Sequence, residues 1–381
     1  MTCEGFYSDP IIQSQVDPLL TALADGADGI SYAELITFEV DGNERRPQGS
    51  APSSYLKKLF KRRSHLRNLG AIFSYLARHR RKFDIVHCRS YLPMLPVMLL
   101  APFCRFKVVF DPRGLFADEV LYYKKRSAIG RVFLLLEGWL YRSADRVITV
   151  SNAFTAHVDR LYGVGPRTDM ISTFGQAMTG SARLHDLRVT RGWQDKIILC
   201  YSGSLEGWQC IDDVIAFFKT AVAESPKFAI LFLSKSQQQF RARLAGDFEA
   251  SSFHVMSATP PELPSILSQC DYGVLFREDH IVNRVAAPIK LKDYLCAGIK
   301  VVLSPGIGDS DGMLREHDLG FVVDKNARAS QLDVLRRMGG VGEEEKQRVA
   351  KFADSYFGIA RAVDSYKRVY RRLLGQGDIS G

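Results

Sequence analysis

Twice along this chain, short apolar runs rich in β-branched and aromatic residues alternate with helical patterns, and that alternation restricts the fold more than any motif does. In the first half the strand candidates are Thr2 to Tyr7, Ser31 to Val40, Asp84 to Cys88, Lys107 to Asp111 and Arg146 to Ser151, with a helix expected from Ile11 to Leu23. In the second half they are Lys196 to Ser202, Lys227 to Leu233, Phe253 to Met256, Tyr272 to Phe276, Lys300 to Leu303 and Phe321 to Val323. Continuous apolar strands separated by amphipathic helices imply parallel sheets covered on both faces. Right-handed crossovers then make each half a Rossmann-like α/β layer. Gly175 to Trp193 has no clear period, so the hinge is expected from about Phe174 to Gln194. That divides the chain into residues 1–174 and 195–354. The helical pattern from Glu343 to Leu374 is expected to return residues 355–381 to the first domain.

Ligands of such sheets bind where strands end, so the residues after each strand are the candidates. The segment Arg277 to Pro305 reads as a strand end, a charged loop, a short helix and the next strand. Pro288 suits the first turn of that helix and Gly298 the position past its end. Lys290 and Asp293 lie three residues apart and share a helical face. A helix N-terminus opened by Pro288 and Ile289, with Arg277, Arg284 and Lys290 nearby, suits a diphosphate, and Asp293 a ribose diol. Upstream, Ser202-Gly203-Ser204-Leu205-Glu206-Gly207-Trp208-Gln209 is a glycine-containing loop whose backbone N–H groups can approach phosphate. Trp208 is a candidate for packing near the base or sugar, with a core role as the alternative. In the first half the corresponding residues are His87 and Arg89, Asp111, Arg113 and Gly114, and Ser151-Asn152, the last pair reading as a helix N-cap. Asp309-Ser310-Asp311 reads as a turn rather than a metal site.

The run Ala287-Pro288-Ile289-Lys290-Leu291-Lys292-Asp293-Tyr294-Leu295-Cys296-Ala297-Gly298 resembles the S-P-x-K-hydrophobic-x-E-Y-L-A-x-G pattern of bacterial family 4 glycosyltransferases. The resemblance implies the GT-B architecture: two Rossmann-like domains facing a cleft, with the C-terminal helix crossing back. It implies a retaining transfer from a nucleotide-sugar that is a co-substrate, with no cofactor and no metal. Gly203, Ser204, Trp208, Arg277, Arg284, Pro288, Ile289, Lys290 and Asp293 would bind the donor. The family's Glu is here Asp293, and a second Glu that many relatives carry eight residues earlier is Val285. The stretch Phe110 to Glu119, FDPRGLFADE, resembles a D-x-R-G-x-x-x-D-E run of polysaccharide-type members, which makes Asp111 and Arg113 the catalytic or acceptor-side candidates. An epimerase or hydrolase on the same fold, or a subunit without activity, are the alternatives.

Charge locates the expected partner surface. Between Arg45 and Phe83 lie 12 Lys and Arg and no Asp or Glu, more than the whole chain's +9. The interleaved Leu56, Leu59, Phe60, Leu66, Leu69, Ile72, Phe73 and Leu76 suggest one basic amphipathic helix, suited to an anionic membrane surface. A solvated helix is the alternative, and no recognition pattern for nucleic acid accompanies the charge. Seven scattered cysteines and the absence of basic and apolar blocks in the first ten residues lead us to expect a cytoplasmic protein. The basic segment lies in the half expected to bind acceptors, so a lipid-linked saccharide at the inner membrane face is the expected acceptor.

Overall fold

A computed structural model describes residues 15–24, 33–39, 56–61, 65–122, 127–175, 186–205 and 209–375. The chain divides into unit 1, Met1–Gly175 with Ile359–Gly381, and unit 2, Gln176–Gly358.

Unit 1 holds β1 (Glu34–Glu39), β2 (Leu56–Lys61), β3 (Ile85–Arg89), β4 (Lys107–Asp111), β5 (Arg146–Thr149) and β6 (Thr168–Met170). β1 and β2 form a parallel pair, and β3-β4-β5-β6 form a second parallel sheet in that order. Its first helices are α1 (Asp17–Ala24), α2 (His65–Arg78), α3 (Tyr91–Leu100), α4 (Phe116–Tyr122), α5 (Ser127–Ser143) and α6 (Asn152–Tyr162). Successive side chains of a strand point to opposite faces. Val109 and Ile148 therefore pack beneath α1 and the chain's last helix. Phe110 turns the other way, with its ring edge on Tyr91 of α3 and Tyr141 of α5, at centroid distances of 5.2 and 5.1 Å.

Unit 2 continues with α7 (Leu187–Arg191), β7 (Ile197–Ser202), α8 (Ile211–Glu224), β8 (Phe228–Leu233), α9 (Gln237–Leu244), β9 (Phe253–Met256), α10 (Leu263–Leu267) and β10 (Tyr272–Leu275). It ends with α11 (Ile281–Arg284), α12 (Ile289–Cys296), β11 (Lys300–Leu303), α13 (Ser310–Glu316), β12 (Gly320–Val322), α14 (Arg328–Arg337) and α15 (Glu343–Phe357); α16 (Ile359–Leu373) belongs to unit 1. The six parallel strands run β12-β11-β10-β7-β8-β9. Alternation splits their side chains between two cores. Ile198, Cys200, Leu231 and Val301 pack on one face, and Leu199, Tyr201, Phe232 and Val302 on the other. Burial on both faces explains why these strands read as unbroken apolar runs.

Several expectations change. Leu56–Lys61 is a strand paired with β1, not part of a basic helix; among the described residues of the 45–83 segment only His65–Arg78 is helical, so the segment is not one amphipathic element. Apolar and basic residues alternate loosely in LKKLFK, and pairing decided the outcome. The expected hinge is too long. From Asp186 onward the chain is docked on unit 2: Asp186 caps α7, Arg188 donates to the Asp271 carboxylate at 2.7 Å, and Trp193 Nε1 donates to the Ser251 carbonyl at 2.8 Å. The C-terminal helical pattern is broken at Gly358, where a Cβ would collide with the Asp354 carbonyl. The strand expected at Thr2 to Tyr7 lies outside the described residues.

Candidate functional site

In unit 2 the chain leaves β7 to β8 and β9 on one side, then returns with β10 on the other side of β7. This reversal opens a crevice at the carboxyl ends of β7 and β10, where open α/β sheets bind ligands. Gly203 follows β7 directly, and Arg277 comes two residues after β10. Arg277 is buried, and its N–H donates to Ser304 Oγ beyond β11 at 2.8 Å. Its guanidinium donates to Gln209 Oε1 at 2.7 Å, and Lys290 Nζ donates to the same oxygen at 2.6 Å. Lys290 also sits 4.7 Å above the Tyr201 ring. Two cations thus converge on one carboxamide oxygen, the geometry in which an anionic oxygen would be held more strongly.

Local structure fixes this convergence. Pro288 is the extended N-cap of α12, and Gly298 adopts φ 79° just past its end, so Lys290 falls in the first turn. Tyr294 Oη accepts the Ser202 N–H at 2.8 Å, tying α12 to the end of β7. A Cβ at Gly203 would collide with Lys290 Nζ, so only glycine leaves the ammonium its place. Ser204 is present through its carbonyl, which accepts from Tyr201 Oη at 2.7 Å.

Other donor candidates are placed differently. The Arg284 guanidinium is exposed and engaged by Asp279 at 2.6 and 2.8 Å. Asp293 faces Lys292 at 3.0 Å; burial pushes its carboxyl above the usual range against the pull of Lys292 and Lys290. Val285, where relatives carry Glu, is buried. Ile289 opens α12 as its first helical residue. Trp208 lies outside the described residues. Gln209 was legible only as part of the glycine-containing loop and Tyr294 only as part of the run from Ala287 to Gly298, and Tyr201 was not singled out. Asp309 occupies the N-cap position of α13 and Asp311 accepts the Gly306 N–H at 3.0 Å, so both serve a turn. Among the described residues no three His, Cys, Asp or Glu gather as a metal site.

In unit 1 the carboxyl ends of β3 and β4 form a charged cluster. Asp111 is 1% exposed, with His87 Nε2 at 3.5 Å, Arg113 at 3.6 Å and Arg89 at 3.9 Å from its oxygens. Burial works against its charge, yet Arg113, His87 and Arg89 overcome it and lower its pKa to about 2. Burial likewise lowers the pKa of His87, whose Nδ1 lies 2.7 Å from Tyr370 Oη of α16. Arg89 and Arg113 both donate to Gln15 Oε1, at 3.1 and 3.4 Å. Ser90 and Arg113 hold positive φ, 75° and 66°, a backbone cost that the packed loop sustains. A second network holds that loop: Tyr91 Oη donates to the Gly114 carbonyl at 2.9 Å, and Glu137 accepts the Ala117 N–H. Ser151 is an N-cap, accepting the Phe154 N–H at 3.0 Å. The tyrosines of α16 were legible only as an apolar stripe.

Comparisons with known proteins agree with this architecture. The family model described as Glycosyltransferase Family 4 matches residues 32–174. No curated protein matches significantly. Among solved structures, sucrose-phosphate synthase from Thermosynechococcus elongatus superposes with a TM-score of 0.70 at 16% identity, over 95% of this chain and 93% of that one. Anabaena Alr3699/HepE in complex with UDP gives 0.70 at 12%, over 97% and 98%. WaaG, a glycosyltransferase involved in lipopolysaccharide biosynthesis, gives 0.63 at 13%, over 95% and 97%. The chain has the GT-B fold of these structures, and its first half, residues 32–174, matches the Glycosyltransferase Family 4 model.

Proposed function

We propose that this protein is a retaining glycosyltransferase that moves a sugar from a nucleotide-sugar bound by unit 2 to a lipid-linked saccharide bound by unit 1, in cell-surface polysaccharide synthesis. The observation that carries the reading is the convergence of Arg277 and Lys290 on Gln209 Oε1, beside Gly203, at the reversal of strand order. Solved relatives of the same fold bind such donors, HepE with UDP-glucose among them.

The departing nucleoside diphosphate gains negative charge as the glycosidic bond breaks. Arg277, Lys290 and the start of α12 are fixed before the reaction, so they stabilise that charge without reorganising. Asp111 is suited to a positioning role, because a carboxylate with a pKa of about 2 is a weak base at neutral pH. It orients Arg113 and His87, and the acceptor proton goes to the leaving phosphate. This scheme needs no metal and no cofactor. The protein works on the cytoplasmic side, peripheral to the inner membrane face.

A non-catalytic subunit is the second reading, favoured by the Lys292–Asp293 pair and by Val285 in place of Glu. A thermal-shift screen of UDP, GDP, ADP, CMP and dTDP sugars, with and without magnesium, separates the two. A native-state ligand raises the melting temperature with its excess over Kd. Stabilisation by one nucleotide family, lost in Lys290→Ala, supports transfer; no stabilisation by any refutes it.

A further inference from the structure

Helix α5 carries large apolar side chains on its outer face. The outer residues of a surface helix are normally charged and its inner ones apolar. In α5 the exposed positions Ala128, Arg131, Val132, Leu135, Trp139 and Arg142 recur at helical spacing along one face, and the one carboxylate, Glu137, is buried on the opposite face. Leu135 is 82% exposed, Val132 55% and Trp139 40%. Burial of Glu137 has a local cause, since it accepts the Ala117 N–H at 3.2 Å and the Tyr162 hydroxyl at 3.0 Å.

The neighbouring helices extend the pattern. α3 packs against both α5 and α2. Leu99 at the end of α3 and Phe103 just beyond it are 61% and 75% exposed, and Leu66 on α2 is 82% exposed. The exposed charges on α2 and α5 are arginines, while α4, packed beside α5, carries Asp118 and Glu119. Arg67, Arg78, Arg80, Arg81, Arg105 and Arg142 are exposed, and α2 carries no Asp or Glu. In the sequence Lys124-Lys125-Arg126 precedes the residues of α5, and no acidic residue occurs between Glu119 and Glu137.

Large exposed apolar side chains on helices whose exposed charges are arginines match an anionic bilayer: the chains enter the acyl boundary and the cations meet headgroup phosphates. Among the described residues no helix is long and apolar enough to cross a membrane, so the helix would lie on it. We propose that α5, with Leu99 and Phe103, is the element of unit 1 that inserts into an anionic lipid surface, with Trp139 at the interface. The proposal deepens the lipid-linked acceptor reading by adding α5, Leu99 and Phe103 to the basic residues of the 45–83 segment, and it does not depend on donor binding.

The test uses the full chain with vesicles of phosphatidylcholine, with and without phosphatidylglycerol, and with brominated acyl chains. Binding should require the anionic lipid, weaken with salt, and bring quenching of tryptophan fluorescence that Trp139→Phe abolishes. Leu135→Glu on the exposed face should lower partitioning by roughly tenfold or more. Its melting temperature and its thermal shift with nucleotide-sugars should match wild type, which separates failure of this proposal from failure of the transferase reading. Absent binding, quenching that survives Trp139→Phe, or Leu135→Glu partitioning like wild type overturns the proposal. A dimer in gel filtration that Leu135→Glu dissolves also overturns it, because the face would then belong to a second copy.

Discussion

Replacing Asp111 with Asn keeps its shape and removes the charge on which Arg89, Arg113 and His87 converge. The structure sets the size of the effect. The carboxyl titrates at about 2 against 3.8 in the absence of the site. Each unit is worth 1.36 kcal/mol, so the ionised form contributes about 2 kcal/mol to the folded state at neutral pH. Hydrogen exchange of the β3 and β4 amides is the suitable assay, because it reads unit 1 without assuming that both units unfold together. In Asp111→Asn those amides should exchange roughly thirtyfold faster at pH 7. The folded pKa is depressed, so the contribution is full above the unfolded value of 3.8 and disappears as pH falls through about 2. The gap between wild type and variant should therefore hold from pH 7 to about pH 4 and shrink below it. Equal protection at pH 7, or a gap undiminished near pH 2, would refute the reasoning. Turnover should also fall, since Arg113 and His87 lose their orienting partner.

Three further outcomes concern unit 2. Lys290→Ala removes one of two donors on Gln209 and should weaken nucleoside diphosphates by roughly tenfold while leaving nucleosides nearly unchanged, measured by calorimetry. Gly203→Ala pushes the Lys290 ammonium aside; the displaced group is the end of a flexible chain, so the melting temperature should hold while diphosphate affinity falls. Gly273→Ala, inside β10, drives a methyl into the Tyr294 ring and should cost about 1–3 kcal/mol in chemical denaturation, with no special effect on the nucleoside end of the ligand.

Much of unit 2 was legible because its strands are buried on both faces and read as apolar runs whose ends differ little from those observed. Pro288 and Gly298 marked α12 because each solves a backbone problem at a helix end, a requirement that is local in sequence. Leu56–Lys61 failed the same approach: short runs of mixed apolar and basic residues suit a strand or a helix, and the pairing partner decides. Arg284 was placed near the diphosphate by proximity in sequence, whereas Asp279 holds it at the surface.

The sequence by itself determined the α/β alternation, the two-part division, the glycine loop after β7 and the helix that presents Lys290, since these rest on periodicity and on terminal residues acting within a few positions. Only the tertiary structure decided which charges meet. Gln209 and Lys290 are 81 residues apart, and His87 and Tyr370 are 283 apart. The exposed apolar face of α5 was decided in the same way, because periodicity shows that a helix has an apolar stripe but not which side the rest of the fold covers. Such meetings depend on strand order and on the side chosen by each crossover, and neither leaves a local trace in the residues that come together.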